Sequence, residues 1–565
     1  MQDNPSAKLS PRQRQVLELI RQGKSNNEIA FALGIGLGTV KQHVVALFRK
    51  LKVTSRTKAL TRPAAEERPA VHSPTNLSED ILLERRPCVV LSLALDTDNP
   101  NLQRALKRNV ASIAQETGDI FISWRGAGCD LILGVDQVSE TDCLRALHGA
   151  WKTAHAIHRE EPTCRLKGAV ATGLAVASMF RHGGWSGEVM ASSAIALARN
   201  MATEAPSGSL LLDLAFLDLL RLCGADLAKP HRTQVPLDAP QILQWNCREN
   251  PVSFIGRETE LARLTALLET SSPGPHVLFG PPGSGKTRIC MEFAHRAHAG
   301  KRMVRLVRCL PPQAPASFLD TSSATVWNRD TFLLHLRSLP ENELLILDDT
   351  HWLCERDRSH FRNLEPSGSK AMLFTDRGVR ESAAPDSSPD EPAWGTEGQA
   401  LHLEPLSTPR ITDLVTEALA SGPAPGTSSG PTIDSGRTKL IESITLLAAG
   451  NPRFALELAR DALRTQGPAV SPDNLRHMPI SILTMIRSRL DRLALDRRML
   501  RIIAAFPEGI AIGELVRALG GPKDSLPGGI AKAQQYNVLA QEKSDHVRFA
   551  HPMVRHVVDH LGMES

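Results

Sequence analysis

One short segment constrains the fold of this 565-residue chain more than any other. The apolar run His276–Phe279 is followed by Gly280-Pro281-Pro282-Gly283-Ser284-Gly285-Lys286-Thr287, which has the pattern G-x-x-x-x-G-K-[ST]. Glycines in such a loop let successive backbone N–H groups point at phosphate oxygens, and the next helix adds its positive dipole end. Because Ile289 and Phe293 follow at helical spacing, the segment predicts the strand, phosphate-binding loop and helix of an α/β domain.

The side chains of this loop have separate chemical tasks. Lys286 would neutralise the β- and γ-phosphates of a nucleotide, and Thr287 would place a hydroxyl on Mg²⁺. We therefore expect ATP or ADP with Mg²⁺ as the cofactor. The residues expected to hold it here are Gly280, Gly283, Ser284, Gly285, Lys286 and Thr287.

Two further strands end in polar residues that suit the same chemistry. The apolar run Leu344–Leu347 ends in Asp348 and Asp349; Asp348 would hold Mg²⁺, and Asp349 would orient the attacking water as the catalytic candidate. Two solvent-facing turn acids are the alternative, which fits less well after four apolar residues. The run Ala371–Phe374 leads to Arg377, which would sense the γ-phosphate.

The first 62 residues are strongly basic. They carry twelve Lys and Arg against three Asp and Glu, a net charge of +9, whereas the whole chain has a net charge of +5. A basic segment on a mildly acidic body indicates that one end meets a polyanion.

Helix signals in this basic segment predict a helix-turn-helix. Capping boxes begin at Ser10 and Ser25, and a glycine turn, Gly34-Ile35-Gly36, precedes a longer helix. That helix has an apolar inner face and a basic outer face. Its inner face holds Val40, Val44, Leu47 and Leu51, and its outer face holds Lys41, Gln42, Val45 and Arg49.

Residues Leu9 to Leu60 resemble the LuxR-type (NarL/FixJ) DNA-binding domain. The matching motifs include Glu28-Ile29-Ala30 and Thr39-Val40-Lys41-Gln42-His43. The resemblance implies that Lys41, Gln42 and Val45 face base edges in the major groove. It implies phosphate contacts for Thr39, His43, Arg49 and Lys50. The alternative is a small helical bundle used for protein contacts.

The segment from Phe254 to about Leu561 resembles the ATPase core of STAND-class, AAA-related signal proteins. The motifs that carry the resemblance are Phe254-Ile255-Gly256-Arg257-Glu258, Asp348-Asp349-Thr350-His351-Trp352, Leu403-Glu404-Pro405-Leu406-Ser407, Gly450-Asn451-Pro452 and Phe549-Ala550-His551-Pro552. It implies that Pro452 touches adenine and that His551 approaches the ADP phosphates, with a capped surface histidine as the alternative for His551. It also implies a switch that is closed with ADP and favours assembly with ATP.

Residues 88–213 are predicted to form β-α-β-β-α-β-α-β and resemble the class III nucleotidyl cyclase domain. The site departs from that family's two metal-binding aspartates: Asp96 lies one residue off the first position, and Cys129 takes the second, with Asp130 beside it. Ile195 stands where an Asn usually orients the ribose, although Arg199 remains. A neutral cysteine cannot replace a hard oxygen ligand for Mg²⁺. We therefore expect an inactive cyclase-like domain.

The expected fold class is a multidomain chain: an all-α helix-turn-helix domain, an α+β cyclase-like domain, and an α/β P-loop NTPase with a helical lid and a winged-helix-like C-terminal module. The expected boundaries are 1–62 for the first domain, 63–80 for a linker, 81–246 for the cyclase-like domain, 250–378 for the ATPase core, 400–475 for the lid and 476–565 for the last module. The Gly-, Pro- and Ser-rich stretch 421–436 is predicted to be a mobile loop.

Composition limits the cellular setting. No run of 18 apolar residues occurs, and Met1–Ser10 has no apolar core, so neither a membrane span nor a signal peptide is predicted. The nine cysteines contain no Cys-x-x-Cys pair, which argues against a disulfide framework or a zinc site. We expect a cytoplasmic, nucleoid-associated protein.

These features together predict an ATP-dependent DNA-binding transcriptional regulator. Its expected partners are double-stranded promoter DNA, ATP, RNA polymerase and a second copy of itself, with no membrane. The alternatives are a signalling nucleotidyl cyclase controlled by the ATPase module and a scaffold ATPase that does not bind DNA. The sequence leaves the rate of ATP hydrolysis open, and a slow rate is compatible with the site.

We predict that promoter binding by the first 65 residues weakens steeply as salt rises. Each phosphate neutralised by Lys or Arg releases counterions, so several such contacts give roughly a 10³-fold loss between 50 and 200 mM salt. Fluorescence anisotropy with a labelled promoter fragment measures the slope, and salt-independent binding would contradict the docking.

Overall fold

A computed structural model describes residues 81–117, 120–181, 183–223, 225–227, 233–237, 243–244, 252–269, 274–311, 318–320, 325–337, 340, 343–362, 371–377, 400–420, 431–465, 478–519, 526–543 and 545–562. The chain divides into two units between Leu77 and Ser78, and every described residue belongs to the second. The predicted helix-turn-helix and the 63–80 linker lie outside the described residues. So do the predicted DNA contacts Thr39, Lys41, Gln42, His43, Val45, Arg49 and Lys50.

The middle domain is a mixed sheet with helices on both faces. Its elements are β1 (Ile81–Leu95), α1 (Pro100–Thr117), β2 (Ile120–Arg125), β3 (Gly128–Leu133), α2 (Asp142–Glu160), β4 (Leu166–Phe180), β5 (Trp185–Ser192), α3 (Ser193–Glu204), β6 (Ser209–Leu212), α4 (Leu214–Leu222), β7 (Asp226–Leu227), β8 (Gln234–Pro236) and β9 (Leu243–Gln244). The strand order is β2-β3-β1-β4-β6-β8, β5 also pairs with β4, and β7 pairs with β9. The prediction omitted β5, because its sequence WSGEVMAS lacks an alternating apolar pattern.

Alternation along β1 fixes the core of this domain. Val89, Leu91 and Leu93 pack on one face, in a cluster with α1, α2 and α4. Cys88 and Val90 pack on the other face, where alanines of β4 and α3 meet them. Since successive strand residues point to opposite sides, one buried strand serves both layers.

The ATPase core is a second sheet, dominated by parallel strands. Its elements are α5 (Glu258–Glu269), β10 (Gly274–Phe279), α6 (Lys286–Ala299), β11 (Val304–Cys309), β12 (Phe318–Asp320), β13 (Thr325–Trp327), α7 (Arg329–Arg337), β14 (Leu344–Asp348), a 3₁₀ turn (Thr350–Trp352), α8 (Glu355–Arg362), β15 (Ala371–Asp376) and β16 (Ala400–His402). The order is β13-β12-β11-β14-β15-β10-β16, so β15 separates the strands β10 and β14. All five residues of β14 are buried, as expected for a parallel strand covered on both sides.

A helical lid and a small mixed module complete the unit. Their elements are α9 (Thr408–Ala420), α10 (Pro431–Ala448), α11 (Pro452–Thr465), α12 (Ile480–Leu493), α13 (Arg497–Ala504), β17 (Ile510–Ala511), α14 (Ile512–Leu519), α15 (Leu526–Gln535), β18 (Leu539–Lys543), β19 (His546–Phe549) and α16 (Pro552–Leu561). The predicted loop 421–436 is wrong for its last six residues, because α10 begins at Pro431, a residue well suited to a first helical turn. The predicted multidomain architecture of helical and α/β regions is confirmed.

Within the described part of the chain, no helix has both the length and the hydropathy that crossing a bilayer requires.

A buried cluster of charges joins the middle domain to the C-terminal module. Arg86 of β1 is fully buried, and its Nη1 donates to Asp491 Oδ1 of α12 over 3.1 Å. Arg487 and Arg497 also contact the carboxylates of Glu84 and Asp491. Burial by itself would raise the pKa of Asp491, but the guanidinium groups of Arg487 and Arg86 outweigh it and lower that pKa. Each charge in the cluster therefore depends on the others to offset its desolvation.

We predict that Asp491→Ala lowers the free energy of unfolding by about 3–5 kcal/mol, because it leaves buried arginines without their counter-ion. Denaturant unfolding followed by circular dichroism measures the change. The control is Glu160→Ala, whose partner Arg108 is exposed and whose ion pair should contribute about 1 kcal/mol or less. Equal effects of the two substitutions would contradict the role given to the buried cluster.

Candidate nucleotide-binding site

The carboxyl ends of three neighbouring strands meet at one edge of the ATPase sheet. Phe279 of β10 lies opposite Asp376 of β15, and Leu347 of β14 lies opposite Phe374 of the same strand. The loops that follow these strands therefore converge. They carry the Gly280–Thr287 loop, the pair Asp348 and Asp349, and Arg377.

The backbone of the glycine loop requires its glycines. Gly283 and Gly285 have φ of +81° and +97°, a region that L side chains rarely adopt. A Cβ at Gly280 would lie 2.6 Å from Ser284 Oγ, and one at Gly283 would lie 2.7 Å from the Arg453 side chain. The loop can thus follow a phosphate closely with backbone N–H groups.

Lys286 folds back on this loop. Its Nζ donates to the carbonyl oxygens of Gly280 (2.7 Å) and Pro281 (3.1 Å). Burial, and then the charge of Arg377, lower the pKa of Lys286 to about 8. The carboxylates of Asp349, Asp348 and Asp376 offset this lowering only in part, and a bound phosphate would add counter-charge next to the ammonium.

Asp348 and Asp349 are held in different ways. Asp348 Oδ1 accepts a hydrogen bond from Thr375 Oγ1 at 2.7 Å, and the Thr287 hydroxyl is close enough to lower the pKa of the same carboxyl. Among the described residues no donor lies within 3.5 Å of its buried Oδ2. Burial, and then the charge of Asp349, raise the pKa of Asp348. Asp349 has φ of +59° and accepts from Arg308 Nε and Nη2 at 2.9 and 2.7 Å.

This donor set fits Mg²⁺. The free oxygen of Asp348 and the hydroxyl of Thr287 are hard ligands, and Mg²⁺ commonly takes one or two protein oxygens together with substrate phosphates. In the described residues, no cluster of three or more His, Cys, Asp or Glu could hold a metal by itself. Mg²⁺ bound by these two residues would offset the charge on the phosphates.

The lid helices and the segment before α5 contact the glycine loop directly. Asn451 Nδ2 donates to the Pro282 carbonyl at 3.0 Å, and the Arg453 N–H donates to the Gly283 carbonyl at 3.2 Å. Pro452, between them, lines the same pocket. Arg257 donates to the Ser284 carbonyl at 3.2 Å, a role that the sequence motif around it did not specify.

These parts enclose a cavity of about 520 Å³, within the range of small-molecule sites. Among the described residues that line it, cations outnumber acids, which are Glu140 and Asp349. Behind the lining, Asp218, Glu260 and Glu457 pair with four of its arginines, so Lys286, Arg288, Arg308 and Arg377 are the cations best placed for a polyphosphate. The cationic residues are Arg221, Arg257, Lys286, Arg288, Arg308, Arg377, Arg453 and Arg460. Apolar residues line the remainder and suit a base: Val252, Phe254, Ile255, Met291, Leu406, Leu414 and Leu456.

The middle domain also lines this cavity, which the sequence did not indicate. Residues at the end of α4, together with Glu140, form part of its wall. Arg377, predicted to sense a γ-phosphate, donates to Glu140 Oε1 from Nη1 at 2.9 Å and to Oε2 from Nη2 at 2.7 Å. Glu140 and Arg377 lie 237 positions apart, so no local pattern could have connected them.

His551 lies away from the cavity lining. Its Nδ1 accepts from the Met553 N–H at 3.0 Å and so caps α16, while Nε2 lies 3.2 Å from the Ala448 carbonyl of the lid. Its ring meets Phe454 edge-on at 5.2 Å between centroids. In this arrangement His551 joins the lid to the C-terminal module instead of contacting the phosphate loop.

The predicted site of the middle domain is occupied by arginines. Asp130 is buried; Arg125 Nε donates to its two carboxylate oxygens at 3.2 and 3.0 Å, and Arg199 Nε donates to Oδ2 at 2.8 Å. Asp96 pairs with Lys167 instead. Asp130 lies opposite Ser92 of β1, and Asp96 is four residues beyond Ser92. At strand spacing, this places the backbone of Asp96 roughly 13 Å along the strand from the position opposite Asp130. The two carboxylates therefore do not share one metal position.

Cys129 is a buried thiol next to Asp130. Burial, and then the charge of Asp130, raise the pKa of Cys129 to about 12. The Cys129 thiol therefore stays neutral at physiological pH. Ile195, which also departs from the family's site, lies on helix α3 together with Arg199.

Comparisons with known proteins identify two domains. Residues 7–62 match the family described as bacterial regulatory proteins, luxR family, and residues 253–375 match the AAA ATPase domain. The chain therefore contains a LuxR-type helix-turn-helix domain and an AAA ATPase domain, as the sequence predicted.

The curated relatives match a short part of the chain, about the length of the luxR-family match. The CsgBAC operon transcriptional regulatory protein of Escherichia coli is 46% identical over 56 residues, 10% of this chain and 26% of that protein. DesR of Bacillus subtilis is 43% identical over 54 residues (10% and 27%), and the nitrate/nitrite response regulator NarL of Escherichia coli is 47% identical over 51 residues (9% and 24%). The chain thus spans about a quarter of the length of these relatives.

Solved structures with similar regions include two cyclases and a DNA-bound ORC structure. The adenylyl cyclase CyaB from P. aeruginosa gives a TM-score of 0.21 at 13% identity, over 25% of this chain and 82% of its own. The guanylyl cyclase Cya2 gives 0.20 at 16% (27% and 90%), and Drosophila ORC bound to DNA gives 0.26 at 16% (56% and 89%). At these scores the likeness carries no conclusion about fold or activity.

We predict that His551 makes the folded protein sensitive to acid. Burial is the main reason that the pKa of His551 falls from its ordinary value of 6.5 to about 4. Between these values the unfolded chain binds a proton that the folded chain does not, so stability falls as pH drops through this window. Thermal unfolding should show that His551→Gln loses less stability from pH 7.5 to 5 than the wild type, by at most about 1.4 kcal/mol per pH unit. Identical pH profiles would contradict the assignment.

Proposed function

We propose that the protein is an ATP-dependent transcriptional regulator in which the nucleotide in the Gly280–Thr287 site sets the conformation of the chain. Residues 1–62 bind promoter DNA, and the ATPase domain supplies the control. The proposal includes self-association, contact with RNA polymerase and a cytoplasmic, nucleoid-associated location.

One observation carries this proposal: four parts of the chain share a single cavity rich in arginine. The ATPase core supplies the phosphate loop, the lid supplies Pro452 and Arg453, the C-terminal module supplies Met485, and the middle domain supplies Glu140. A ligand shifts a conformational equilibrium only through contacts that differ between the states. A nucleotide bound in this cavity would contact all four parts. A change from two phosphates to three can therefore alter how these parts pack against one another.

The site favours switching over rapid turnover. Asp349, the candidate for orienting water, forms an ion pair with Arg308, and Lys286 is bonded to loop carbonyls. Both groups must exchange partners before they act on a triphosphate. Slow hydrolysis, limited by such rearrangement, suits a regulator that stays in each state for a long time.

The middle domain serves as a contact module in this proposal, without cyclase chemistry. Two-metal catalysis needs carboxylate oxygens that are free to bind metal. Asp130 is engaged by Arg125 and Arg199, and Cys129 is a neutral thiol. Two alternative functions have distinct tests. If the protein is a cyclase, the full-length chain makes cyclic nucleotide with Mg²⁺ or Mn²⁺. If it is a scaffold ATPase, it does not bind promoter DNA.

We predict that Lys286→Ala raises the Kd for ATP about 10–100-fold or more, because a charge-assisted contact to the phosphates is lost. It should abolish the transcriptional response to the full-length protein while the N-terminal domain still binds DNA. Calorimetry measures the affinity, and a promoter–reporter assay measures the response.

The matched control is Lys439→Ala, which removes an exposed lysine of the lid helix α10. It should leave both readouts unchanged. Undiminished ATP affinity in Lys286→Ala would refute the phosphate role of the loop. A normal transcriptional response with an empty pocket would refute the switch.

A further inference from the structure

Glu140 lies where three parts of the chain meet. It sits in the segment between β3 and α2 of the middle domain and is 6% exposed. Its carboxylate receives both Nη groups of Arg377, the residue that follows β15 in the ATPase core. From α12 of the C-terminal module, Ser488 Oγ donates to Oε1 at 3.4 Å, and Arg492 Nη2 lies 3.8 Å from the same oxygen.

The carboxylate is held as an anion. Burial would raise the pKa of Glu140, but the charge and hydrogen bonds of Arg377, and then the charge of Arg492, outweigh burial and lower that pKa to about 2. The contact therefore persists over the physiological pH range. Protonation does not release it in this range, whereas a second anion that binds Arg377 would compete with it.

The geometry of the contact is one that a guanidinium also offers to phosphate. Two parallel N–H groups meet two oxygens at 2.9 and 2.7 Å, the forked arrangement that arginine forms with carboxylates and phosphates alike. While Glu140 holds these two N–H groups, they cannot be donated to a nucleotide.

Both residues face the nucleotide cavity. Glu140 and Arg377 line it together with Lys286 and Asp349. Arg377 is close enough for its charge to lower the pKa of Lys286, after the larger effect of burial, and it also lowers the pKa of His351. The Glu140 carboxylate therefore approaches the part of the cavity in which the outermost phosphate of a triphosphate would be placed by Lys286.

We propose that Glu140 determines nucleotide specificity: it competes with the γ-phosphate for Arg377, so the closed arrangement favours ADP, and ATP displaces the middle domain from Arg377. This inference rests on the proposed function, that the cavity binds adenine nucleotides. ADP has no γ-phosphate and leaves the contact intact. ATP brings a second anion to the same guanidinium, and the two like charges repel.

The test uses the full-length chain and its Glu140→Ala and Glu140→Gln variants. Calorimetry measures the Kd of Mg²⁺–ADP and of a Mg²⁺-bound non-hydrolysable ATP analogue for each protein. We expect Glu140→Ala to tighten binding of the ATP analogue at least fivefold relative to ADP, with ADP affinity changed less than threefold. Glu140→Gln keeps the shape of the side chain but loses its charge. It should also favour the ATP analogue over ADP in the ratio of their Kd values, by a smaller factor than Glu140→Ala.

Two further variants separate this role from general loosening of the interface. Arg181→Gln breaks the ion pair with Asp496, which also joins the middle domain to the C-terminal module but lies outside the cavity. It should leave the ATP-to-ADP ratio unchanged. The double variant Glu140→Ala with Arg377→Gln should lose the increased affinity for the ATP analogue, because the guanidinium that binds the γ-phosphate is then absent.

The outcomes distinguish this inference from the proposed function. If Glu140→Ala and Glu140→Gln change both affinities equally, or neither, the inference is wrong while nucleotide binding stands. The same conclusion follows if Arg181→Gln shifts the ratio as much as Glu140→Ala. If the wild type binds neither nucleotide, the proposed function fails, and this inference fails with it. If Glu140→Ala does not fold, Glu140→Gln decides.

Discussion

The structure of the second unit depends on arginines that bind carboxylates across domain boundaries. Burying any one of these charges alone is costly, so each is tolerated only while its partner domain is in place. Arg86 with Asp491 ties the middle domain to the C-terminal module, and Glu140 with Arg377 ties it to the ATPase core. Arrangements of this type are stable when complete and weak when one partner is removed.

The ATPase site was largely predictable from sequence, because its chemistry is local. A glycine loop between a strand and a helix, and acids at the end of an apolar strand, are short-range patterns with direct physical meaning. The structure places Lys286, Thr287, Asp348 and Asp349 at one sheet edge, since parallel strands end together. The strand order, with β15 between β10 and β14, also brings Arg377 to this edge.

What sequence could not provide is the environment that sets how each group behaves. Glu140 was not singled out, because its partner is 237 residues away and nothing local marks it. For His551 the family resemblance predicts a place near the ADP phosphates, with a capping histidine as the alternative; in the structure it caps α16 and contacts the lid. Likewise, the cyclase-like site was expected to be inactive because Cys129 replaces an acid, whereas the structure adds a second reason in the arginines bound to Asp130. Motifs identify chemical groups, and tertiary contacts decide which partners those groups have.

The central claim is that the third phosphate of ATP weakens the contact between the middle domain and the ATPase core. Hydrogen–deuterium exchange of the full-length protein tests it most directly, since local opening appears as faster amide exchange. With the non-hydrolysable ATP analogue, the amides of residues 138–147 and 487–493 should exchange faster than with ADP, while the glycine loop is protected by both nucleotides. Equal exchange in these two segments, with both nucleotides bound, would contradict the account.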